Sequence, residues 1–172
     1  MEKRLHSKKG LSAVVTTLII IALSLVAVVS VWGFISNFVN KQIEGSSSCF
    51  GSYDKITINR RYTCYEKIND NEYNVIFSLN IGDIDVESVK VSITSEKENK
   101  VYDITDFSQT INDLMMYPSE ETQIILPEKK GSLSYKATGF TGEIEMIQIA
   151  PTINGNFCDV SDKVETVGDC SI

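Results

Sequence analysis

The pattern of apolar and polar positions divides the chain into two unlike parts. Residues 11–40 form a stretch of thirty residues without one charged side chain. A mostly apolar run of 18 or more residues is typical of a membrane-spanning helix. As an α-helix, residues 11–39 would be about 43 Å long, against a hydrocarbon core of about 30 Å. The first part therefore predicts one long apolar helix whose outer turns project beyond the lipid tails.

After residue 49 the pattern changes to the two-residue period of β-strands. Two clear runs have apolar residues at Tyr73, Val75, Phe77, Leu79 and Ile81, and at Val89, Val91 and Ile93. Further strands are predicted near 54–58, 61–68, 100–104, 121–126, 132–138 and 142–153. A short helix over about 107–116, capped by Thr105 or Asp106, would interrupt the series.

The last predicted strand changes phase along its length. Ile144 and Met146 point to one side, whereas Ile147 and Ile149 take the opposite phase, which predicts a β-bulge. Eight or so short strands in about 120 residues favour a sandwich over a parallel α/β sheet. The predicted fold class is α+β, with a long N-terminal hydrophobic α-helix followed by a mainly antiparallel β-sandwich of immunoglobulin-like type.

Residues 44–48 read Glu-Gly-Ser-Ser-Ser, a composition typical of a flexible linker. The predicted organisation is a leader over 1–10, a helix over 11–40, a linker over 41–48 and a β domain over 49–172.

The residues before the apolar run are basic. Lys3, Arg4, Lys8 and Lys9 outnumber the single acid Glu2, so the positive-inside rule keeps the N-terminus in the cytoplasm and sends the β domain outside. The apolar run is about twice as long as that of a secretory signal, and no small-residue cleavage site of the A-x-A type follows it before residue 41. The expectation is an anchor, or a leader that is cut on the cytoplasmic side of the apolar run.

Lys8, Lys9 and Gly10 precede Leu11 and the long apolar helix, which ends with the sequence Val-Trp-Gly-Phe-Ile at 31–35. This order resembles the class III leader and N-terminal helix of archaeal type IV pilins and archaellins. The resemblance implies cleavage after Gly10 by a membrane prepilin peptidase, with Leu11 as the mature N-terminus. Mature position five is Val15, where bacterial pilins usually have Glu, and this points to the archaeal branch.

The same resemblance implies the partners and the location of the protein. The partners would be the prepilin peptidase, copies of this chain and related pilins, the membrane, and a pilus assembly ATPase with its platform. The chain would wait in the cell membrane as a single-pass protein and then become part of an extracellular filament.

Small residues on one side of the helix would permit close packing of helices. The predicted packing residues lie within about 100° of one another on a helical wheel and are Ser12, Ala13, Thr16, Ala27 and Ser30. Three aromatic residues, Trp32, Phe34 and Phe38, fall where membrane-interface aromatics are favoured.

Composition excludes several function classes. The chain has 16 basic and 23 acidic residues; without residues 1–10 these become 12 and 22, a formal net charge of −10. Such a charge disfavours nucleic acid as a partner. The only histidine is His6, inside the leader, so the mature chain lacks Ser-His or Cys-His catalysis and histidine ligands. The acidic runs at 69–72 and 83–87 lack the EF-hand spacing. We expect no enzyme, no metal and no cofactor.

The four cysteines, Cys49, Cys64, Cys158 and Cys170, all follow the helix. An even number in a segment placed outside the cell predicts disulfides, with three pairings open. No Cys-x-x-Cys spacing supports zinc. Local pairs, Cys49–Cys64 and Cys158–Cys170, are the preferred prediction, each worth roughly 3 kcal/mol.

The sequence therefore predicts a structural subunit whose helix packs in a filament core and whose β domain forms the outer surface. The alternative is a membrane-anchored sandwich that never polymerises and acts as a binding or stator-like module outside the membrane.

Overall fold

A computed structural model describes the backbone of residues 9–51 and 53–171 and the side chains of residues 14–39, 49–51 and 53–171. The chain divides into two compact units, Met1–Glu44 and Gly45–Ile172. The first is helical and the second is built of β-strands, as the two hydrophobic patterns predict.

One helix, α1, runs over Lys9–Cys49 and is 41 residues long. Its apolar stretch contains no proline and one glycine, Gly33, so the backbone hydrogen-bond ladder continues without a break. The helix also continues through residues 41–48, where the sequence predicts a flexible linker. Glycine and serine weaken a helix by at most about 1 kcal/mol each, and a helix already nucleated by a long preceding segment propagates through such residues.

Among the residues that the structure describes, thirteen strands and one 3₁₀ turn follow the helix. The 3₁₀ turn is Arg60–Tyr62. The strands are β1 Ile56–Ile58, β2 Cys64–Lys67, β3 Glu72–Ile81, β4 Ser88–Ser95, β5 Asn99–Thr105, β6 Gln109–Thr110, β7 Leu114–Tyr117, β8 Gln123–Ile124, β9 Ser132–Thr141, β10 Ile144–Ile153, β11 Asn156–Phe157, β12 Asp162–Val164 and β13 Gly168–Asp169.

Two sheets carry the domain. Sheet A has the order β13-β2-β3-β9-β7, with β1 also paired to β3, and sheet B has the order β11-β10-β4-β5, with β12 also paired to β10. The chain crosses between sheets from β3 to β4 and again from β9 to β10, while β3 pairs with β9 and β4 with β10. An immunoglobulin sandwich has the same arrangement: β2, β3, β9 and β7 correspond to its strands A, B, E and D, and β4 and β10 correspond to its strands C and F. Strand β5 is added at the edge beside β4. The predicted α+β fold class is confirmed.

The core lies between the two sheets. Along strand β4, half-buried and buried residues alternate, which is the pattern of a strand with one face on the core. The centre of the core includes Phe77 on β3 and Tyr135 on β9, which are both fully buried and whose rings stack with centroids 5.2 Å apart. Large aromatic groups of this kind dominate the burial energy of a small domain.

The predicted bulge in the last long strand is present, because the pairing of β10 with β4 shifts register between Ile144 and Met146. It lies before Met146 rather than after it, so Ile144 is buried together with Ile147 and Ile149, and the prediction that Ile144 shares a side with Met146 is wrong. The predicted helix over 107–116 is wrong. That segment contains β6, a turn in which Asp113 has a φ of 60°, and the start of β7. Leu114 and Met116 face the core because β7 pairs with β9, so tertiary pairing outweighs the local cap signal.

Two buried tyrosines make a matched test of hydrogen bonding in this core. The Tyr135 hydroxyl donates to the carbonyl oxygen of Ile125 at 2.7 Å, whereas the buried Tyr102 hydroxyl has no partner among the described side chains and backbone. Burial raises the pKa of both phenols, with further contributions at Tyr102 from Asp113 and Glu98. Both are therefore neutral at physiological pH.

We expect Tyr135→Phe to lower the free energy of unfolding by about 1 kcal/mol, because it leaves a carbonyl without its donor. Tyr102→Phe should be neutral or stabilising, because it removes a hydroxyl that the protein does not satisfy. Urea unfolding of both variants measures the difference. A larger loss in Tyr102→Phe than in Tyr135→Phe would contradict this assignment.

Candidate functional site: an apolar helix and a cross-linked domain

The segment Val14–Val39 of helix α1 is the first candidate site. It is 26 residues long, has a mean hydropathy of 2.8, and shows no burial within the structure. Its large side chains are exposed around the whole circumference; Leu18, Val29 and Phe34, for example, are 61%, 70% and 73% exposed. A helix that is apolar all round is buried by lipid or by other helices. The segment is long and apolar enough to cross a membrane.

Polar side chains within this segment bond to their own helix. Thr17, Ser24 and Ser30 each donate a hydroxyl to a carbonyl three or four residues earlier at 2.8 Å, and the Asn37 amide donates to the carbonyl of Gly33 at 3.2 Å. A hydroxyl satisfied in this way carries little penalty in an apolar medium. The polar residues of the segment are thus compatible with burial in lipid or against other helices.

Aromatic residues collect at the C-terminal part of the apolar segment. Phe34 and Phe38, four residues apart on one side of the helix, have nearly parallel rings with centroids 6.5 Å apart. Trp32 is 72% exposed. The sequence predicts these residues at the outer interface of a membrane, and exposed aromatic rings are favoured at such interfaces.

The predicted cleavage junction lies in the first turn of α1. Lys9 begins the helix and Gly10 and Leu11 continue it. Lys8 lies outside the described residues, and the side chains of residues 9–13 are also outside them.

Three predicted packing residues, Thr16, Ala27 and Ser30, are exposed on the described part of the helix. The other two, Ser12 and Ala13, belong to the helix by their backbone alone. The stripe is therefore open to a neighbouring helix over its described length.

The disulfides are the second candidate feature. All four cysteines are bonded, as predicted, but the preferred local pairing is wrong. Cys49 pairs with Cys158, with Cα atoms 5.4 Å apart, and Cys64 pairs with Cys170, with Cα atoms 5.0 Å apart. The sandwich causes this outcome, because it brings the first and last segments of the domain together. Strand β13 pairs in parallel with β2, so Gly168 lies opposite Cys64 and Cys170 follows two residues later.

One charged pair on the domain links segments that are distant in the sequence. A surface depression of the domain is lined in part by Arg60 and Asp162. The Arg60 guanidinium donates to Asp162 Oδ1 and to the Lys163 carbonyl oxygen, both at 3.1 Å, while Asp162 Oδ2 accepts the Ile58 backbone N–H at 2.9 Å. These bonds join β1 and the 3₁₀ turn that follows it to β12. Sequence reasoning missed this contact, since 102 residues separate the two charged partners and no local motif marks them.

The acidic run at 83–87 forms ion pairs with neighbouring lysines. Asp83 lies 3.3 Å from Lys129 and 3.0 Å from Lys130, and their ammonium groups hold the pKa of its carboxyl below the usual value. Within the described residues, no group of three His, Cys, Asp or Glu side chains is arranged to hold a metal ion. The chemistry of this run is that of a solvated, ion-paired turn.

These features define a class of protein: one apolar helix of membrane-spanning length joined to an immunoglobulin-like sandwich with two disulfides. Comparison with known protein families and with curated proteins gives no match to this chain. The function is therefore argued from the helix, the junction and the domain themselves.

Proposed function

We propose that this chain is a type IV pilin-like structural subunit. Residues 1–10 are a leader that a prepilin peptidase removes after Gly10. The helix then leaves the membrane and packs with copies of itself and related pilins in the core of a cell-surface filament, driven by an assembly ATPase and its platform. The β domain covers the outside, and the protein acts in adhesion or motility rather than in catalysis.

The apolar helix carries this proposal. Full burial of one Val, Leu or Ile side chain stabilises by about 1.5–3 kcal/mol relative to exposure. The segment has 14 Val, Leu and Ile residues among its 26, and leaving these in water would cost on the order of tens of kcal/mol. A helix of this kind needs an apolar environment at every stage. Lipid supplies it before assembly, and a bundle of like helices supplies it in a filament.

The order of residue types at the end of the leader supports processing at Gly10. Lys8 and Lys9, then Gly10, then an uncharged run form the sequence that a prepilin peptidase would meet at the cytoplasmic face. The disulfides support an extracytoplasmic domain, because such bonds persist in oxidising compartments.

One observation favours the alternative, a membrane-anchored module that does not polymerise. The segment Val14–Val39 would be about 39 Å long as a helix, so it is sufficient by itself to hold a single chain in a bilayer of about 30 Å. Shearing of cells separates the two functions. A filament subunit sediments with sheared fibres, whereas an anchored module stays with the cells.

We expect Gly10→Val to leave the leader attached, because a branched side chain replaces the small residue at the cut. Mass spectrometry of the wild-type protein should give a chain that starts at Leu11, and the variant should retain residues 1–10 and stay in the membrane. Gly33→Val is the matched control. It makes the same change in the same helix, at a position where an added Cβ meets no atom within 4 Å, and its processing should be normal.

Wild-type protein that keeps residues 1–10 in cells with an active prepilin peptidase would refute the proposal. Equal processing of Gly10→Val and Gly33→Val would also count against it, because the cut would then not depend on the small residue at position 10.

A further inference from the structure

The two disulfides cross in sequence. The first bond of the pair closes residues 49–158 and the second closes residues 64–170. Each bond therefore has one cysteine inside the loop of the other and one outside it: Cys64 lies within 49–158, and Cys158 lies within 64–170. In the local arrangement, Cys49–Cys64 with Cys158–Cys170, the two loops would be separate, and residues 65–157 would be spanned by neither bond.

Because the two loops overlap, every backbone bond between Cys49 and Cys170 lies within at least one loop that a disulfide closes. A break within 65–157 is spanned by both disulfides. A break within 50–63 is spanned by Cys49–Cys158 alone, and a break within 159–169 by Cys64–Cys170 alone. Each disulfide thus spans one stretch that the other does not. Together they hold the two chain pieces together after a cut at any bond between Cys49 and Cys170.

We propose that the crossed disulfides retain the β domain on its helix after a single proteolytic cut anywhere between Cys49 and Cys170. A domain held outside the cell meets proteases, and exposed loop tips are where they cut. Cys49 is the last residue of α1. A cut domain therefore stays covalently joined to the helix whether that helix lies in a membrane or in a filament, so the inference does not depend on polymerisation.

Strand pairing preserves the fold of the cut domain. Residues 118–122 form an exposed loop between β7 and β8. A cut there leaves β3 and β4 on one piece and β9 and β10 on the other. The pairs β3–β9 and β4–β10 cross the cut and are the most extensive in the two sheets. The disulfides keep both pieces at a high effective concentration, so the pieces remain paired.

Three insertions of a site-specific protease sequence test the inference in the full chain, held in detergent micelles or liposomes. They lie between Asp54 and Lys55, between Ser119 and Glu120, and between Glu165 and Thr166, all at exposed residues. One insertion falls in each of the three stretches. Nonreducing and reducing gels after cleavage report covalent attachment, liposome sedimentation reports shedding, and circular dichroism reports the fold.

All three cut proteins should run as one species without reductant and as two pieces with it. The domain should sediment with the liposomes, and the thermal transition should remain cooperative. Cys49→Ser with Cys158→Ser should release the domain only after the 54/55 cut. Cys64→Ser with Cys170→Ser should release only the terminal piece, and only after the 165/166 cut.

Separation of the pieces after the 119/120 cut without reductant would overturn the inference, because it is the result of local pairing. Loss of the cooperative transition in a cut protein whose pieces are still linked would overturn the claim that the domain survives. If uncut insertion proteins unfold, the same gels on wild-type protein nicked by a nonspecific protease give the deciding result, since fragments should again appear only with reductant.

Discussion

Ile21→Lys should abolish filament assembly while the chain still inserts in the membrane and its β domain still folds. Ile21 lies within the apolar segment Val14–Val39 and is 55% exposed, so in a filament it would face other helices. One lysine at the centre of a membrane helix costs about 2.5–3.5 kcal/mol on the insertion scale, which the remaining apolar run can offset. In a filament the cost recurs in every subunit, and like charges approach one another in a dry core. Sheared filaments, membrane fractions and nonreducing gels measure the three properties separately.

Two matched variants control this experiment. Ile21→Leu keeps the position apolar, and Val101→Lys places the same charge on an exposed residue of β5, where it meets water. Both should assemble as the wild type does. A fragment of residues 49–172, without the apolar segment, should be soluble, disulfide-bonded and monomeric. Normal assembly of Ile21→Lys, or fibres formed by the fragment alone, would show that the helix is not the polymerising element, and the anchored module would become the better interpretation.

Removing either disulfide should have the largest effect on stability. The bonds join residues 109 and 106 positions apart. On the chain-entropy model a loop of about 100 residues contributes about 4.7 kcal/mol, against about 3 kcal/mol for a loop of about 15 residues. We expect Cys64→Ser with Cys170→Ser to lower the free energy of unfolding by about 4 kcal/mol, and Cys49→Ser with Cys158→Ser to do so by a similar amount. Urea unfolding of the domain measures both.

The pairing itself has a direct readout in the same proteins. Nonreducing peptide maps should contain peptides joined through Cys49–Cys158 and Cys64–Cys170 and no free thiol. Cys64→Ser alone should free one thiol, and labelling should place it at Cys170. A label at Cys49 would show that Cys64 pairs with Cys49 instead. The expected loss of stability would then be that of a short loop, about 3 kcal/mol.

The hydrophobic pattern alone predicted most of the secondary structure. The uncharged run over 11–40 predicted a helix because thirty residues without charge leave no other way to satisfy the backbone in an apolar medium. Alternation along 73–81 and 88–93 predicted β3 and β4. One face of β4 lies on the core, whereas residues 74–79 of β3 are buried on both faces. The phase change between Met146 and Ile147 predicted a bulge in β10, which the structure has slightly earlier, between Ile144 and Met146. Each of these patterns is local, because it depends only on residues that are close together in the sequence.

Two predictions of secondary structure were wrong, and others stay open. The segment 107–116 is extended because β7 pairs with β9, a contact with Leu114 on one strand and Ala137 on the other. Residues 41–48 are helical although their composition favours a linker. Cleavage at Gly10, packing through the small-residue stripe and the filament itself stay predictions, because they depend on partners of this chain.

The sequence by itself determined the apolar helix, the β character of the domain and the presence of four cysteines in a segment fit for disulfides. Only the tertiary structure decided which cysteines meet. Four cysteines allow three pairings, and short loops cost the least entropy to close, so local reasoning favours neighbours. The folded sandwich reverses that preference. The pairing of β13 with β2 places Cys170 beside Cys64. Cys158, which follows β11, meets Cys49 at the end of α1. The entropy of closing these long loops is lost when the domain folds, so it no longer opposes the distant pairing.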